Sequence, residues 1–390
     1  CLSPVGSKVL AGTQRCSVLE FAHDETSLAL PDTRLNAALV RKKVAAVAGT
    51  GVRTGGGPSP SFVEAQAPAR VGQRVVDGHW GGELWGLAIS PLPARAEMAT
   101  VGDEGCLNIW SLRDKQLLCT HELGAPARCV AYSPDGAFLA VGFGCGAKKS
   151  RKEDGVFRVF RADGPQRTEL WRQGNKKPLP MLVEERDAKQ WISDIKFSPD
   201  GRTLALGSHD NSIYLYNVAH GFKRTAKFTK HNSYITHFDF STCGNFLMSN
   251  CGAYELLFCD TGTARQIPAK KCKDVTWRTM TCALSPGTLG VWQPGMDGSD
   301  INAVARSPSG SLLATADDFG KVSLFRFPAL GLGSGGRKKA IGSSPNEGLT
   351  FTGHSSHVTN TRWWSSTAAS QDVAAPRSSS VKAKDDLLIS

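Results

Sequence analysis

Three histidines are the first residues whose type invites a chemical reading. His79 and His354 each come after a glycine, in Gly78-His79 and Gly353-His354, and His231 opens the segment HNSYITHFDFS. Imidazole is the commonest side-chain ligand for transition metals, but a metal site announces itself by paired ligands at set spacing. Neither HExxH nor CxxC occurs, so these histidines are expected in structural hydrogen bonds rather than on a metal. Gly142-Phe143-Gly144-Cys145-Gly146-Ala147 satisfies the glycine spacing of a dinucleotide loop. The chain then continues as Lys148-Lys149-Ser150-Arg151-Lys152-Glu153-Asp154-Gly155 and enters another strand, so no helix N-terminus is offered to a pyrophosphate. A Walker loop fails too, because Lys148 stands where glycine must precede Lys149-Ser150. The nucleophile elbow Gly-x-Ser-x-Gly is absent, and nothing in the sequence brings two carboxylates together in a cleft. The reading is a protein that is not an enzyme and uses no cofactor.

The elements that carry these residues are set by a repeated turn. It reads Ser3-Pro4-Val5-Gly6, Ser90-Pro91, Ser133-Pro134-Asp135-Gly136, Ser198-Pro199-Asp200-Gly201, Ser241-Thr242-Cys243-Gly244, Ser307-Pro308-Ser309-Gly310 and, most eroded, Ser365 after Trp363-Trp364. Neighbouring copies are 87, 43, 65, 43, 66 and 58 residues apart. Proline pre-sets φ for the turn, Asp bonds its own backbone, and Gly closes it. Around the best copy, Ile195 and Phe197 alternate before the turn, Leu204 and Leu206 after it, then Ile213 and Leu215. That is a meander of short strands with period two. A recurring unit of about 40–45 residues with four strands is a propeller blade. Seven copies predict an all-β, seven-bladed β-propeller, incomplete at both ends and carrying long loop insertions.

Domain organisation can be read from the same spacing. Residues 1–22 read as a partial first blade and 23–76 as a low-complexity insertion. Residues 77–328 read as five blades, with insertions at 147–154 and 161–179. Residues 329–348 form a Gly/Ser-rich loop, and 349–390 a partial last blade with an insertion at 366–384. The sequence opens on a turn and closes on a strand barely begun, so a piece of a longer chain is expected.

The formal net charge is +11, and it is concentrated in the insertions. They carry +3 (23–76), +2 (147–154), +3 (161–179) and +2 (329–348), leaving about +1 for everything else. Such loops keep a protein soluble or meet an acidic partner. Few aromatics interleave with the basic residues, so nucleic acid is not an expected partner. No apolar run reaches the ~18 residues of a membrane span. Eleven cysteines, several inside strand patterns, fit buried reduced thiols in a reducing compartment.

Several segments resemble a known family. Glu104 lies six residues before Trp110, and Asp210 six before Tyr216, as in WD-repeat propellers. The segment DINAVARSPSGSLLATADDFGKVSLFRFP, Asp300 to Pro328, is similar to late repeats of the echinoderm microtubule-associated protein-like family. So are GHWGGELWGLAISP, ISDIKFSPDG with GSHDNSIYLYNV, HNSYITHFDFS and TGHSSHVTN, and the resemblance covers about 280 of the 390 residues, leaving out the loop insertions. The resemblance implies the second, C-terminal propeller of a two-propeller scaffold. It also implies a cytoplasmic, cytoskeletal location, tubulin or microtubules as partner, and an upstream propeller in the same chain.

It further implies a network of His, Ser/Thr, Asp and Trp pinning each blade. His79, Glu104, Trp110, Asp210, Tyr216, His231 and His354 are its candidates here. Ala253 and Cys259 replace that network's Asp and Trp in one blade, which is then expected to rely on apolar packing. Lys148, Lys149, Arg151 and Lys152 are the candidate contacts to an acidic partner such as a tubulin tail. The alternative reading is a general adaptor for a ubiquitin-ligase or signalling complex, since fold alone does not choose the partner.

Overall fold

A computed structural model describes residues 8–12, 18–22, 73–76, 79, 82–144, 152–163, 171, 178–292, 300–330, 348–365 and 386–390. The chain divides into two units, Cys1–Trp80 and Gly81–Ser390. In the first, β1 (Lys8–Gly12), β2 (Val18–Ala22) and β3 (Gln73–Val76) form one antiparallel sheet in that order.

The second unit holds five four-stranded antiparallel meanders. The first comprises β4 (Leu84–Ile89), β5 (Glu97–Gly102), β6 (Cys106–Ser111) and β7 (Gln116–Glu122). The second is β8 (Ala127–Tyr132), β9 (Phe138–Phe143), β10 (Val156–Arg161) and β11 (Met181–Arg186). The third is β12 (Ile192–Phe197), β13 (Thr203–Ser208), β14 (Ser212–Asn217) and β15 (Lys223–Phe228). The fourth is β16 (Ile235–Phe240), β17 (Phe246–Cys251), β18 (Leu256–Asp260) and β19 (Gln266–Ile267). The fifth is β20 (Ile301–Arg306), β21 (Leu312–Asp317), β22 (Lys321–Arg326) and β23 (Leu349–Thr352). A two-stranded sheet, β24 (Arg362–Ser365) and β25 (Asp386–Ile389), comes last.

The propeller is therefore all-β as expected, but its described residues form five blades, not seven. The repeated turn joins the first strand of a blade to the second and is silent about the outer two. Its copy at Ser3 precedes a three-stranded sheet, and its copy at Ser365 ends one strand of a two-stranded sheet. Between the fourth and fifth blades the chain runs instead through an irregular strap with 3₁₀ turns at Ala269–Cys272 and Leu289–Val291.

Where the turn is intact, serine does more than the sequence pattern suggests. Ser198 Oγ donates to Asp200 Oδ1 at 2.6 Å and accepts the Thr203 N–H at 2.9 Å. Gly201 closes the loop with φ +71°, donating its N–H to Ser198 O at 2.9 Å. Ser133, Ser241 and Ser307 each accept the N–H five residues on in the same way, at 2.8, 3.0 and 3.1 Å.

The core lies between blades rather than inside one. Ile213, Leu215 and Phe228 of the third blade pack with Ile235, Phe238 and Leu247 of the fourth, all at most 1% exposed. The first strands are mostly buried, while β11 and β23 at the outer rim are mostly exposed. One residue of an insertion expected to be solvated does not conform. Trp171 is 3% exposed and joins the core of the first two blades with Leu139 and Phe160. Among the described residues, no helix is long and apolar enough to cross a membrane.

Candidate functional site: the cavity ringed by the first strands

The first strand of every four-stranded blade carries the same irregularity. Register shifts fall between Leu84 and Gly86, Ala127 and Cys129, Ile192 and Asp194, Ile235 and His237, and Ile301 and Ala303. A β-bulge inserts one extra residue, and the kink re-aims its side chain. The extra residues are Trp85, Arg128, Ser193, Thr236 and Asn302, and all five line one cavity of about 320 Å³. Each stands five positions before the serine of its turn. Asn360 holds the same offset from Ser365 and lines the same cavity.

One side of the cavity is a stack of rings and a cation. The Arg128 guanidinium lies 4.5 Å from the Trp85 ring centroid and 4.6 Å from that of Trp191. It pairs with Asp103 at 3.0 Å and donates from Nε to Gly144 O at 2.7 Å. Asp103 also accepts from Trp85 Nε1 at 3.1 Å. His209 meets Trp191 edge-on, with centroids 4.1 Å apart and planes at 65°, and Tyr234 stacks on His209 at 4.5 Å. Burial, helped by Arg128, pushes the His209 pKa down to about 4, so the ring is neutral at physiological pH.

Deeper residues form a charged knot. Lys196 Nζ donates to Asp194 Oδ2 at 2.6 Å and to Thr281 Oγ1 at 2.8 Å, and also to Phe238 O. It sits 3.9 Å from Asp239. Asp239 Oδ2 accepts the N–H groups of Thr281 and Cys282 at 2.8 and 2.9 Å, and Oδ1 accepts the hydroxyls of Thr279 and Thr281. Burial alone would raise the Asp239 pKa, but Lys196 and these hydrogen bonds outweigh it, and the net shift is downward. Arg362 faces both aspartates; its pKa is lowered by burial despite them. Two acids thus meet Lys196 in one cluster that ties the third blade, the fourth blade and the strap, with Arg362 of β24 adding a longer-range positive charge. An ionised carboxylate so fully bonded is a poor proton acceptor and no donor near neutral pH, so the knot is suited to holding blades rather than to acid–base chemistry.

The residues singled out from sequence lie elsewhere. None of His79, Glu104, Trp110, Asp210, Tyr216, His231 or His354 lines the cavity. Trp110 Nε1 donates to Thr100 Oγ1 at 2.7 Å, and Glu104 Oε1 is 3.5 Å from Asn108 Nδ2. Asp210 Oδ2 accepts from Tyr214 OH at 2.6 Å and from the Lys189 N–H at 2.9 Å. Tyr216 OH donates to Asp187 instead, at 3.0 Å, so Asp210 and Tyr216 have different partners. His231 Nε2 lies 2.7 Å from Ser249 Oγ, and His354 Nε2 lies 2.9 Å from Ser390 Oγ. His79 is half-buried. Lys148, Lys149 and Arg151 lie outside the described residues, and Lys152 is exposed before β10.

The blade with Ala253 and Cys259 does not rely on apolar packing alone. Cys259 is buried in the core, as apolar packing requires. Glu255, two residues past Ala253, brings its carboxylate to 3.4 Å from His231 Nδ1.

Sequence reasoning missed the cavity residues because Trp, Arg, Ser, Thr and Asn share no chemistry. The signal that finds them is positional, the residue five before each turn serine.

Repeated antiparallel sheets, first strands converging on one cavity and charges spent on joining blades define a β-propeller repeat protein. Residues 84–370 match the family model for the echinoderm microtubule-associated protein second beta-propeller, and the chain belongs to that family. It is 37% identical over 290 residues to human echinoderm microtubule-associated protein-like 2, covering 73% of this chain and 39% of that protein. It is 35% identical over 294 residues to Xenopus tropicalis echinoderm microtubule-associated protein-like 4, covering 74% and 29%. It is 32% identical over 301 residues to the 77 kDa echinoderm microtubule-associated protein of Strongylocentrotus purpuratus, covering 73% and 38%. The chain thus spans less than two fifths of the length of these relatives.

Proposed function

We propose that this chain is a non-catalytic scaffold that associates with microtubules or tubulin and serves cytoskeletal organisation. The observation that carries this reading is the family match across 84–370, together with relatives whose names describe microtubule-associated proteins. The charged knot is consistent with it, because its ionisable groups are committed to one another. The contact proposed is electrostatic. Lys148, Lys149, Arg151 and Lys152 approach an acidic tubulin tail, so binding weakens as salt shortens the Debye length below about 10 Å.

Co-sedimentation with microtubules tests this. Binding at low salt should fall on adding salt, on removing the acidic tails by proteolysis, and on replacing the four basic residues with Ser. Sedimentation indifferent to both tail removal and the substitutions rejects the electrostatic contact. No sedimentation at any salt rejects the microtubule role for this chain.

A further inference from the structure

The fourth blade gathers three metal-capable side chains from separate elements. His231 comes from the connection between β15 and β16, Cys251 from the end of β17, and Glu255 from the residue before β18. His231 Nδ1, Cys251 Sγ and a Glu255 carboxylate oxygen all lie within 4.8 Å of one another. Glu255 Oε2 is 3.1 Å from Cys251 Sγ and 3.4 Å from His231 Nδ1. The histidine is 5% exposed and the cysteine 3%, whereas the Glu255 side chain keeps 24% of its surface.

Two further features orient the group. Ser249 Oγ holds His231 Nε2 at 2.7 Å, which turns Nδ1 toward the thiol and the carboxylate. Nδ1 is buried there, and the acceptor it faces is the Glu255 carboxylate at 3.4 Å, a long contact that a bound ion would replace. Asn232 also holds the carboxylate, its main-chain N–H donating to Oε2 at 3.1 Å and its side-chain amide to Oε1. This is the arrangement metal sites use, with outer partners locking the tautomer and direction of the inner ligands.

We propose that His231 Nδ1, Cys251 Sγ and Glu255 bind a zinc ion, with water in the fourth position on the solvent side of Glu255. One imidazole, one thiolate and one carboxylate suit zinc, whereas magnesium and calcium select oxygen donors. Zinc–ligand bonds of about 2.0–2.3 Å in a tetrahedron place donors roughly 3.3–3.8 Å apart. The separations of 3.1 and 3.4 Å need only small adjustments to meet that, and His231 Nδ1 and Cys251 Sγ, within 4.8 Å of each other, close onto the ion as it binds. The ion displaces the thiol proton to water and joins three stretches of one blade, so its role is to stabilise.

The full chain, stripped with a chelator and dialysed, is titrated with Zn²⁺ against a chromophoric competitor, and with Co²⁺ as a spectroscopic probe. The wild type should take up one equivalent of zinc with a rise in Tm, and cobalt should give a thiolate charge-transfer band. Cys251→Ser should remove that band, and Cys251→Ser and Glu255→Gln should each weaken zinc binding at least about tenfold. Cys243→Ser, at an exposed thiol, should change nothing. Should Cys251→Ser fail to fold, zinc protection of Cys251 from alkylation in the wild type, measured in urea high enough to open the blade and expose the buried thiol and read by peptide mass spectrometry, decides the matter. Absence of stoichiometric uptake, wild-type affinity in either ligand variant, or alkylation of Cys251 unaffected by zinc each overturns the assignment.

Discussion

Asn360 donates its side-chain amide to the main-chain oxygen of Trp85 at 3.1 Å, across 275 positions of chain. Thr359 makes a parallel hydroxyl bond to Leu84 O. The same stitch recurs between adjacent sheets: Ser193 Oγ reaches Ile235 O at 2.6 Å, and Asn302 Nδ2 reaches Val358 O at 3.2 Å. Ser193, Asn302 and Asn360 all stand five residues before a turn serine. At Ser193 and Asn302 this position reaches from one sheet toward the next, and at Asn360 it links the last sheet to the first blade.

Removing that last link should loosen the two sheets that meet there before the rest. Each such hydrogen bond contributes a net ~0.5–1.5 kcal/mol. The double substitution Thr359→Val with Asn360→Ala is expected to lower stability by about 1–3 kcal/mol in urea unfolding. Hydrogen exchange should rise in β4 and β24 ahead of β13 and β14. Uniform acceleration across all blades would show that the closure is not a local latch.

Two glycines with positive φ should behave very differently when replaced by alanine. At Gly201, φ is +71° and an added Cβ would find its nearest neighbour at 3.7 Å, so the cost is backbone strain of about 1–2 kcal/mol. At Gly144, φ is +151° and the added Cβ would lie 1.9 Å from Trp191 Cβ and 2.6 Å from its Cα. Backbone cannot yield as a side-chain tip does. Gly144→Ala is therefore expected to displace Trp191 from Arg128 and to cost more than about 3 kcal/mol. Tryptophan fluorescence and chemical denaturation compare the two variants, and equal losses would contradict the packing argument.

Much of this was legible in the sequence, for a physical reason. The turn needs Ser, Pro or a substitute, and Gly at fixed offsets, so the frame of first and second strands shows in residue types. The number of complete blades did not, because β7, β11 and β15 are rim strands whose exposed residues obey no strict alternation. The cavity was hidden because a bulge asks for an extra residue, not for any particular one. Trp85 and Ser193 occupy equivalent positions with nothing in common but their distance from a turn. Glu255 was missed because the resemblance pointed to position 253, and only the fold shows that a longer side chain two residues on reaches His231.

Stability should fall on mild acidification, before the carboxylates titrate. Burial lowers the pKa of His209 to about 4, and that of His237, which keeps some surface in the cavity, also to about 4. An unfolded histidine titrates near 6.5. Between those values the unfolded chain binds protons that the folded one refuses, so stability is full above about pH 6.5 and is lost progressively down to about pH 4. Tm measured across this window should decline in the wild type. The decline should be shallower in a His209→Asn, His237→Asn double variant, and an unchanged slope would show that these rings are not the responsible groups.

The charged knot yields the strongest double-mutant test. Lys196→Met removes the cation that bonds Asp194 and faces Asp239, leaving the latter fully buried with only hydrogen bonds and Arg362 to offset its charge. Breaking a buried ion pair by deleting one partner costs about 3–5 kcal/mol, because the surviving charge has lost its compensation. Adding Asp239→Asn removes that charge while keeping an acceptor oxygen for Thr281, so part of the loss should return. The wild type should in addition lose stability below the ordinary carboxylate range near pH 4, because the lowered Asp239 pKa stabilises only the ionised form. That acid limb should flatten in the double variant. Additive losses from the two substitutions, with an acid limb like that of the wild type, would mean that Lys196 and Asp239 contribute independently and that Asp194 alone retains the lysine.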